Sequence, residues 1–580
     1  GAMNVDSNQL LMGGSKSRIV AGAGNSVIKV GGAFSNLGAV YSAGNLNFEA
    51  TVISNSATGG MAAGGNLTAK ASSGSIANYG AFYAGNTLDL DAAIYFTNYG
   101  SASGPVGTID AGGGGVKIKA GTFRNESTIR SDGDITISAY NFQNDVAGGD
   151  TRYWVENVAY KDESCPRDAG GNLTACVPGE VNDRNDEWYN GDKHKREYWH
   201  KDSRREQRFA GATPTFKPQI LANKNIHIKE FKTATNTGGV ISGKIVTITG
   251  KAGESATFTN NDLSLGYQEW RHSWERYTHW VALGPAKYDD RRWDNDANVM
   301  ERAGVVTTIG AGIFATTLNA SGFALANAGS PLGAAPNSTS QSGVGSGSAG
   351  AGANGTTGAS AQGGSAGVGS LQTVSYGGLN INLPSNPNGY FVTNQNPNAQ
   401  YLVETNPMYA VGSNFVGSNY LAERYGYNPD EIGKRLGDSD YEAYLVRQQL
   451  IAQTGNNIIN GQADEAEQMK ALMDNAANQG KKLGLQWGQA LSVEQVSKLD
   501  NDIIWMVETT VAGQKVLAPV VYLSAGTKAA IQTGAVISAK DANLNLTSLT
   551  NSGGTISGSN SLNIVSQGDV RNTGGTITGG

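Results

Sequence analysis

The sequence predicts a mainly β protein: a right-handed parallel β-helix with inserted Trp-rich loops, interrupted by a small α+β module. Three observations carry this. Gly is 80 of 580 residues and Pro only 14, about twice the ordinary glycine share of ~7%, with no G-X-Y period, which excludes collagen and suits short strands joined by tight turns. Short strand-like runs recur at a near-constant step. The pairs Gly44-Asn45, Gly65-Asn66 and Gly85-Asn86 lie 21 and 20 residues apart, the mark of a solenoid whose coils stack at about 4.8 Å. Within each repeat, apolar and polar residues alternate (Leu46, Phe48, Ala50; Leu88, Leu90, Ala92; Ile135, Ile137, Ala139), the period-two pattern of a strand with one buried face.

Residues 1–330 read as the first array of coils. Gly-Asn or Gly-Asp before each strand is expected to supply a positive-φ turn. Asn36, Asn55, Asn78, Asn98, Asn125 and Asn144 recur just before turns at uneven steps of 19, 23, 20, 27 and 19. Partial Asn ladders are therefore expected, with longer loops in some coils. A β-sandwich with regular turns is the alternative, and the repeated Gly-Asn-Leu turn favours coils.

Two insertions, about 151–209 and 267–303, break the array and hold seven of the nine Trp. Their candidate binding residues are Trp188, Trp199, Trp270, Trp274, Arg291 and Arg292. These side chains either pack the insertions onto the scaffold or form an aromatic–Arg surface for a partner or sugar rings. Cys165 and Cys176 are spaced to close a small loop by a disulfide, which implies an oxidising compartment; two free thiols are the alternative. His194 with His200 and His272 with His279 lack the Cys or carboxylate neighbours of a zinc motif, so no metal is expected. Acidic residues in the repeats (Glu49, Asp89, Asp91, Glu126) are scattered singly. They make no paired-acid site, so the expectation is no enzyme, no catalytic residue and no cofactor. A net charge of −6 and pI near 5.6 do not point to nucleic acid. No apolar run reaches the ~18 residues of a membrane helix. Gly1-Ala2-Met3 reads as a cloning scar and no signal peptide is legible, so a piece of a longer chain is expected.

Residues 331–370 are Gly, Ser, Ala, Thr and Asn with almost no large apolar side chain, and read as a flexible linker. Residues 371–525 differ from both flanks and read as an α+β receptor-binding or tip module. Leu379 to Leu383 alternates like a strand. Asn428-Pro429-Asp430-Glu431 predicts a helix start closed by Gly437. Asp438/Ser439 starts a longer helix ending near Gly455, a third runs from Ala463 to Gln479, and Ser492 with Gln495 makes a capping box. Ile503–Glu508 and Val516–Leu523 predict a hairpin turning at Gly513. Tyr425, Tyr427, Lys434 and Arg435 are candidate receptor contacts; for Lys434-Arg435 a solvated helix end is the alternative. Residues 526–580 resume the repeat as the start of a second array: Asn551-Ser552-Gly553-Gly554 recurs as Asn572-Thr573-Gly574-Gly575, a step of 21.

The runs Tyr401-Leu402-Val403-Glu404-Thr405-Asn406-Pro407, Lys434-Arg435-Leu436-Gly437-Asp438 and Asp502-Ile503-Ile504-Trp505-Met506-Val507-Glu508, followed by Pro519-Val520-Val521-Tyr522-Leu523, resemble one module. It belongs to two-partner-secreted exoproteins: filamentous haemagglutinins and CdiA-type effectors of contact-dependent growth inhibition. The flanking repeats are similar to that family's haemagglutinin repeats. The resemblance implies a secreted, cell-surface chain exported by an outer-membrane transporter of the two-partner type. It implies recognition of an outer-membrane receptor, protein or lipopolysaccharide, on neighbouring bacteria before toxin delivery. An adhesin for host or biofilm glycans is the alternative.

Overall fold

In the computed structural model of the chain, the described residues are 1–101, 104–147, 152–157, 181–189, 192–209, 214, 216–282, 288–329, 373–376, 379–394, 396–409, 415–532 and 534–580. Cys165, Cys176 and the 331–370 linker lie outside them. The chain forms two compact units, one of residues 1–149, 214–263 and 308–580, the other of 150–213 and 264–307.

The first unit is a parallel β-helix with three strands per coil. Strands 45–50, 53–55 and 60–63 make one coil, and 67–71, 76–78 and 81–84 make the next. They pair parallel and in register, Leu67 with Leu46, Ile76 with Ile53 and Ala81 with Gly60. The Gly-Asn echo is therefore the coil step. Inward residues of every coil join one apolar core. Phe96, Phe123 and Phe142 stack along it with ring centroids 5.7 and 5.1 Å apart.

The asparagines form a continuous ladder, longer than expected and buried from Asn36 through Asn551. Asn36, Asn55, Asn78, Asn98, Asn125, Asn144, Asn236, Asn260, Asn327, Asn551 and Asn572 follow one another. Each Nδ2 donates to the next Oδ1 at 2.7–2.9 Å. The same amides also donate to backbone carbonyls, as Asn36 does to Gly60 and Asn55 to Ala81. The buried ladder amides are thus paired at each coil, as a low-dielectric interior requires.

Every long insertion leaves the solenoid just after a ladder asparagine. The chain departs after Asn144 and returns at Gln219, departs after Asn260 and returns at Gly312, and departs after Asn327 and returns at Val536. The last excursion is closed by direct pairing of strand 312–321 with 536–546, from Gly312–Val536 to Ser321–Asn545. The two arrays are therefore one solenoid. The α+β module lies beside it, not at a tip between two scaffolds as the sequence suggested.

Glycine roles differ from expectation. Gly44 and Gly65 are not in the left-handed region; a Cβ there would strike Gly24 O and Asn45 Oδ1 of the preceding coil. The expected positive φ at a Gly-Asn pair holds at Gly24, at 129°, and positive φ also falls in the Asn-Thr/Ser-Gly-Gly turns, at Gly238, Gly553 and Gly574, with φ of 64, 67 and 63°. The second glycine of each turn (Gly239, Gly554, Gly575) is required for space. Its Cβ would collide with the ladder amide of Asn144, Asn327 or Asn551.

The α+β module has a five-stranded sheet in the order 391–393, 401–405, 435–437, 514–522, 503–511. Its helices are α1 (Ser418–Tyr425), α2 (Ser439–Thr454), α3 (Glu465–Leu483), α4 (Val493–Ser497) and α5 (Ala525–Ala530). Asp438 caps α2 by accepting from Tyr441 N–H, and Gly455 ends it at φ 80°. Asp464 caps α3, Ser492 and Gln495 make the capping box of α4, and the hairpin turns at Ala512-Gly513. The helix expected at Asn428 is absent. Gly426 at φ 100° closes α1, Asn428 Oδ1 accepts from Asp430 N–H at 3.2 Å in a local turn, and Gly437 lies in strand 435–437.

The second unit is a separate five-stranded sheet. Strand 192–209 pairs antiparallel with 181–189, 152–157 and 263–282, and 288–309 completes the sheet. Of the two forms expected for the Trp-rich insertions, long loops or hairpins, the described residues take the second: they are largely antiparallel strands, and the two insertions pair with each other.

The ladder predicts unequal costs for asparagine removal. Asn327→Ala orphans buried partners on both neighbouring coils and is expected to cost about 2–4 kcal/mol, whereas Asn45→Ala on the exposed Asn25–Asn45 pair costs less than about 1 kcal/mol. Denaturant midpoints measure both, and equal losses would contradict the buried ladder.

Candidate interaction surfaces

One outward column of the solenoid, one residue per coil, is set by register: Tyr41, Ala62, Tyr83, Asp110, Arg130, Leu221, Ser242 and Phe314. Such a column ordinarily faces water. Here strands 60–63, 81–84, 128–131 and 219–222 are buried at every position, because the α+β module packs along this flank.

The seat has an aromatic end, a charged middle and an amide end. At the first, Tyr409 is fully buried against Ala62, Ala81 and Tyr83, its hydroxyl donating to Asn388 O. Asn388 Nδ2 donates to Thr58 O at 2.7 Å and Ser15 O at 2.9 Å. In the middle, Arg130 meets Asp110 at 3.1 Å and Asp132 at 2.6 Å on the solenoid, and Glu465 of α3 at 3.3 Å. Arg447 of α2 reaches the same Glu465 oxygen at 2.9 Å. At the far end Gln219 and Gln448 exchange amide hydrogen bonds, and Ile451 packs on Leu221 and Val240.

Burial sets the charges of these acids. It pushes Asp110 up to about 6 against the pull of Arg130. Burial would raise Glu465 too, but Arg447 and Arg130 outweigh it and hold that carboxyl below its usual range. Burial pushes Glu442 up to about 7, against its hydrogen bond with Ser418. Glu442 caps α1 from outside: Gly417 offers no side-chain cap, and Ser418 N–H donates to Glu442 Oε2 at 2.6 Å. Among the described residues no three His, Cys, Asp or Glu form a metal-ligating group.

Away from this seat the module shows an aromatic surface. Tyr427 is 41% exposed. Its ring stacks on Tyr425 at 5.7 Å and leans on Trp487 at 5.2 Å. Tyr425 is anchored below by Trp505 at 4.9 Å and by its hydroxyl on Leu485 O.

The predicted candidates fall in both units. Tyr425 and Tyr427 come together. Lys434 is partly exposed and tied to Asn396 O and Gln514. Arg435 is not a surface contact: it is 2% exposed, donates to Pro429 O and Gly433 O, and lies over the Tyr401 ring. Strand pairing with Tyr401 carries it inward, which corrects the sequence reading. Trp188, Trp199, Trp270, Trp274, Arg291 and Arg292 are on strands of the second unit. Register sets Trp199 opposite Arg276 and Trp270 opposite Arg205; their side chains lie outside the described residues. Sequence reasoning missed Trp487 and the flank residues. The signal for the latter was lost alternation, as in Phe82-Tyr83-Ala84 and Ile220-Leu221.

The Haemagglutinin repeat family matches residues 7–62, 107–152 and 505–574. The chain is 35% identical over 226 residues to a 16S rRNA endonuclease CdiA of Enterobacter cloacae subsp. cloacae, covering 33% of this chain and 7% of that protein. It is 34% identical over 223 residues to a tRNA nuclease CdiA of Escherichia coli O6:K15:H31, with the same coverage. The chain is thus similar to filamentous haemagglutinin repeats and to CdiA proteins. A tRNA nuclease CdiA-2 of Burkholderia pseudomallei is 37% identical over 185 residues, 32% of this chain and 6% of the relative. The nuclease names describe those proteins, of whose length this chain spans under a tenth. No solved structure matches the chain. No described helix is long and apolar enough to cross a membrane.

The burial of Glu442 predicts a pH-sensitive module. Its folded value of about 7 lies above the ordinary 4.5. Its contribution is full below about 4.5 and is lost as pH rises through 7. Glu442→Gln is expected to melt higher than the parent at pH 8 and to converge with it near pH 5. Parallel melting curves from pH 5 to 8 would contradict the buried-carboxylate reading.

Proposed function

We propose that this chain is the receptor-binding portion of a secreted, cell-surface CdiA-type effector. It recognises an outer-membrane receptor, protein or lipopolysaccharide, on neighbouring bacteria so that a toxin can be delivered. A two-partner outer-membrane transporter exports it, and its own chemistry is binding. The supporting observation is that all three long insertions leave the solenoid after a ladder asparagine, at one corner. Repeat proteins place binding elements this way: regular coils supply reach and stiffness, and insertions on one edge supply recognition.

Within the module, the Tyr425–Tyr427–Trp487 surface is the candidate contact, because Tyr427 is exposed and the seat on the solenoid is made by other residues. In the second unit the candidates are Trp188, Trp199, Trp270, Trp274, Arg291 and Arg292. An adhesin for host or biofilm glycans is the second reading, favoured by the partly exposed stacked rings of Tyr425 and Tyr427, since aromatic faces suit sugar rings.

Pull-down with outer membranes of related bacteria tests this. Tyr427→Ala with Trp487→Ala is expected to weaken capture about tenfold or more if these rings anchor the contact. Loss confined to Arg291→Ala with Arg292→Ala moves recognition to the second unit. Unchanged capture by both variants, or capture by glycan arrays and not by outer membranes, contradicts the receptor reading.

A further inference from the structure

We propose that the α+β module is a detachable clasp: it releases from the solenoid flank as a folded body and uncovers the column beneath, while the solenoid stays intact. This goes beyond receptor recognition and does not depend on it.

The solenoid does not need the module for continuity. Strand 312–321 pairs directly with 536–546, and Asn327 donates to Asn551, so the coil before the excursion stacks on the coil after it. Nor does the module borrow its core. Trp505, Leu472 and Met473 centre one apolar cluster, and Leu402 and Tyr441 belong to a second; neither includes a solenoid residue. The apolar part of the joint is two small clusters, around Tyr409 and Ile451; between and beside them lie the ion cluster, with Arg130 over the Phe415 ring at 5.6 Å, and amide or hydroxyl hydrogen bonds such as Asn386 to Gly59 O and Ser242 to Asn456.

That composition suits a reversible joint. A buried ion cluster repays in Coulomb energy about what it costs to dehydrate, so it fixes registry more than it adds adhesion. Here Glu465 is shared between Arg447 of the module and Arg130 of the solenoid, and Arg130 also holds Asp110 and Asp132. On release each half keeps an internal pair: Arg447 with Glu465, and Arg130 with its two aspartates. Neither side is left with a lone charge. The Gln219–Gln448 amides likewise exchange each other for water. The uncovered column would present Tyr83, Asp110, Arg130 and Leu221 on four successive coils.

Two variants of the full chain test the clasp from opposite ends. Arg130→Ala removes the shared cation. Gly60→Val wedges the aromatic end, where a Cβ points into Asn388 O and the Tyr409 hydroxyl. Hydroxyl-radical footprinting reads Tyr83 and Tyr409, now 7% and 0% exposed, and hydrogen exchange reads strands 312–321 and 536–546 and helix α3. Both variants are expected to raise labelling of the two tyrosines about tenfold or more, with strand and α3 amides protected within about twofold of the parent. Unchanged labelling in both variants overturns the proposal. So does loss of strand or α3 protection together with the labelling, because the module would then be part of one cooperative body.

Discussion

The fold rests on one repeated hydrogen bond, the amide of a buried asparagine on the asparagine of the next coil. Its contribution is geometric as much as energetic. A buried amide left unpaired costs about 1–3 kcal/mol, so each coil must present its asparagine at the same corner and height. Registry therefore survives any amount of chain leaving that corner. The ladder steps from Asn144 to Asn236 across 92 positions, from Asn260 to Asn327 across 67, and from Asn327 to Asn551 across 224. Insertions that would break a sheet elsewhere are absorbed here, because the loop closes between groups already held in place.

The same constraint explains how the side structures are carried. The excursion after Asn327 folds into its own sheet and helices and returns to the adjacent coil. It then lies on a flank whose outward residues have become apolar, aromatic or charged to receive it. Recognition surfaces can vary on such a scaffold without altering its core. The Glu442 cap on α1 and the ion cluster at Arg130 are the points where this arrangement accepts buried charge.

Much of this was legible in the sequence, for local reasons. Alternation at Leu46, Phe48 and Ala50 and the 21-residue echo of Asn551 in Asn572 both report on neighbouring coils. Helices α2 and α3 and the 503–522 hairpin carry their own caps and turn residues. What could not be read depends on distant partners. Helix α1 is capped by Glu442 rather than by a residue of its own, so Asn428-Pro429 looked like the better start. Arg435 sits in a polar-looking Lys-Arg pair, yet pairing with Tyr401 buries it. Gly44 and Gly65 are glycines because the preceding coil occupies the Cβ position, a fact of stacking. The flank column is invisible until register aligns Tyr83, Arg130 and Leu221. Of the binding candidates, only Tyr425 and Tyr427 come together in the described surface.

Coil 312–328 stacks directly on coil 536–552, and the α+β module inserted between them is an appendage. A chain in which residues 330–535 are replaced by a single glycine tests it most directly. The junction then reads Asn327-Ala328-Gly329-Gly-Val536, the same turn as Asn236-Thr237-Gly238-Gly239-Val240. Hydrogen exchange of the spliced chain should show strands 312–321 and 536–546 protected as in the full chain, within about threefold. An unprotected 536–580 segment in a chain whose earlier coils remain folded would contradict direct stacking of the two coils.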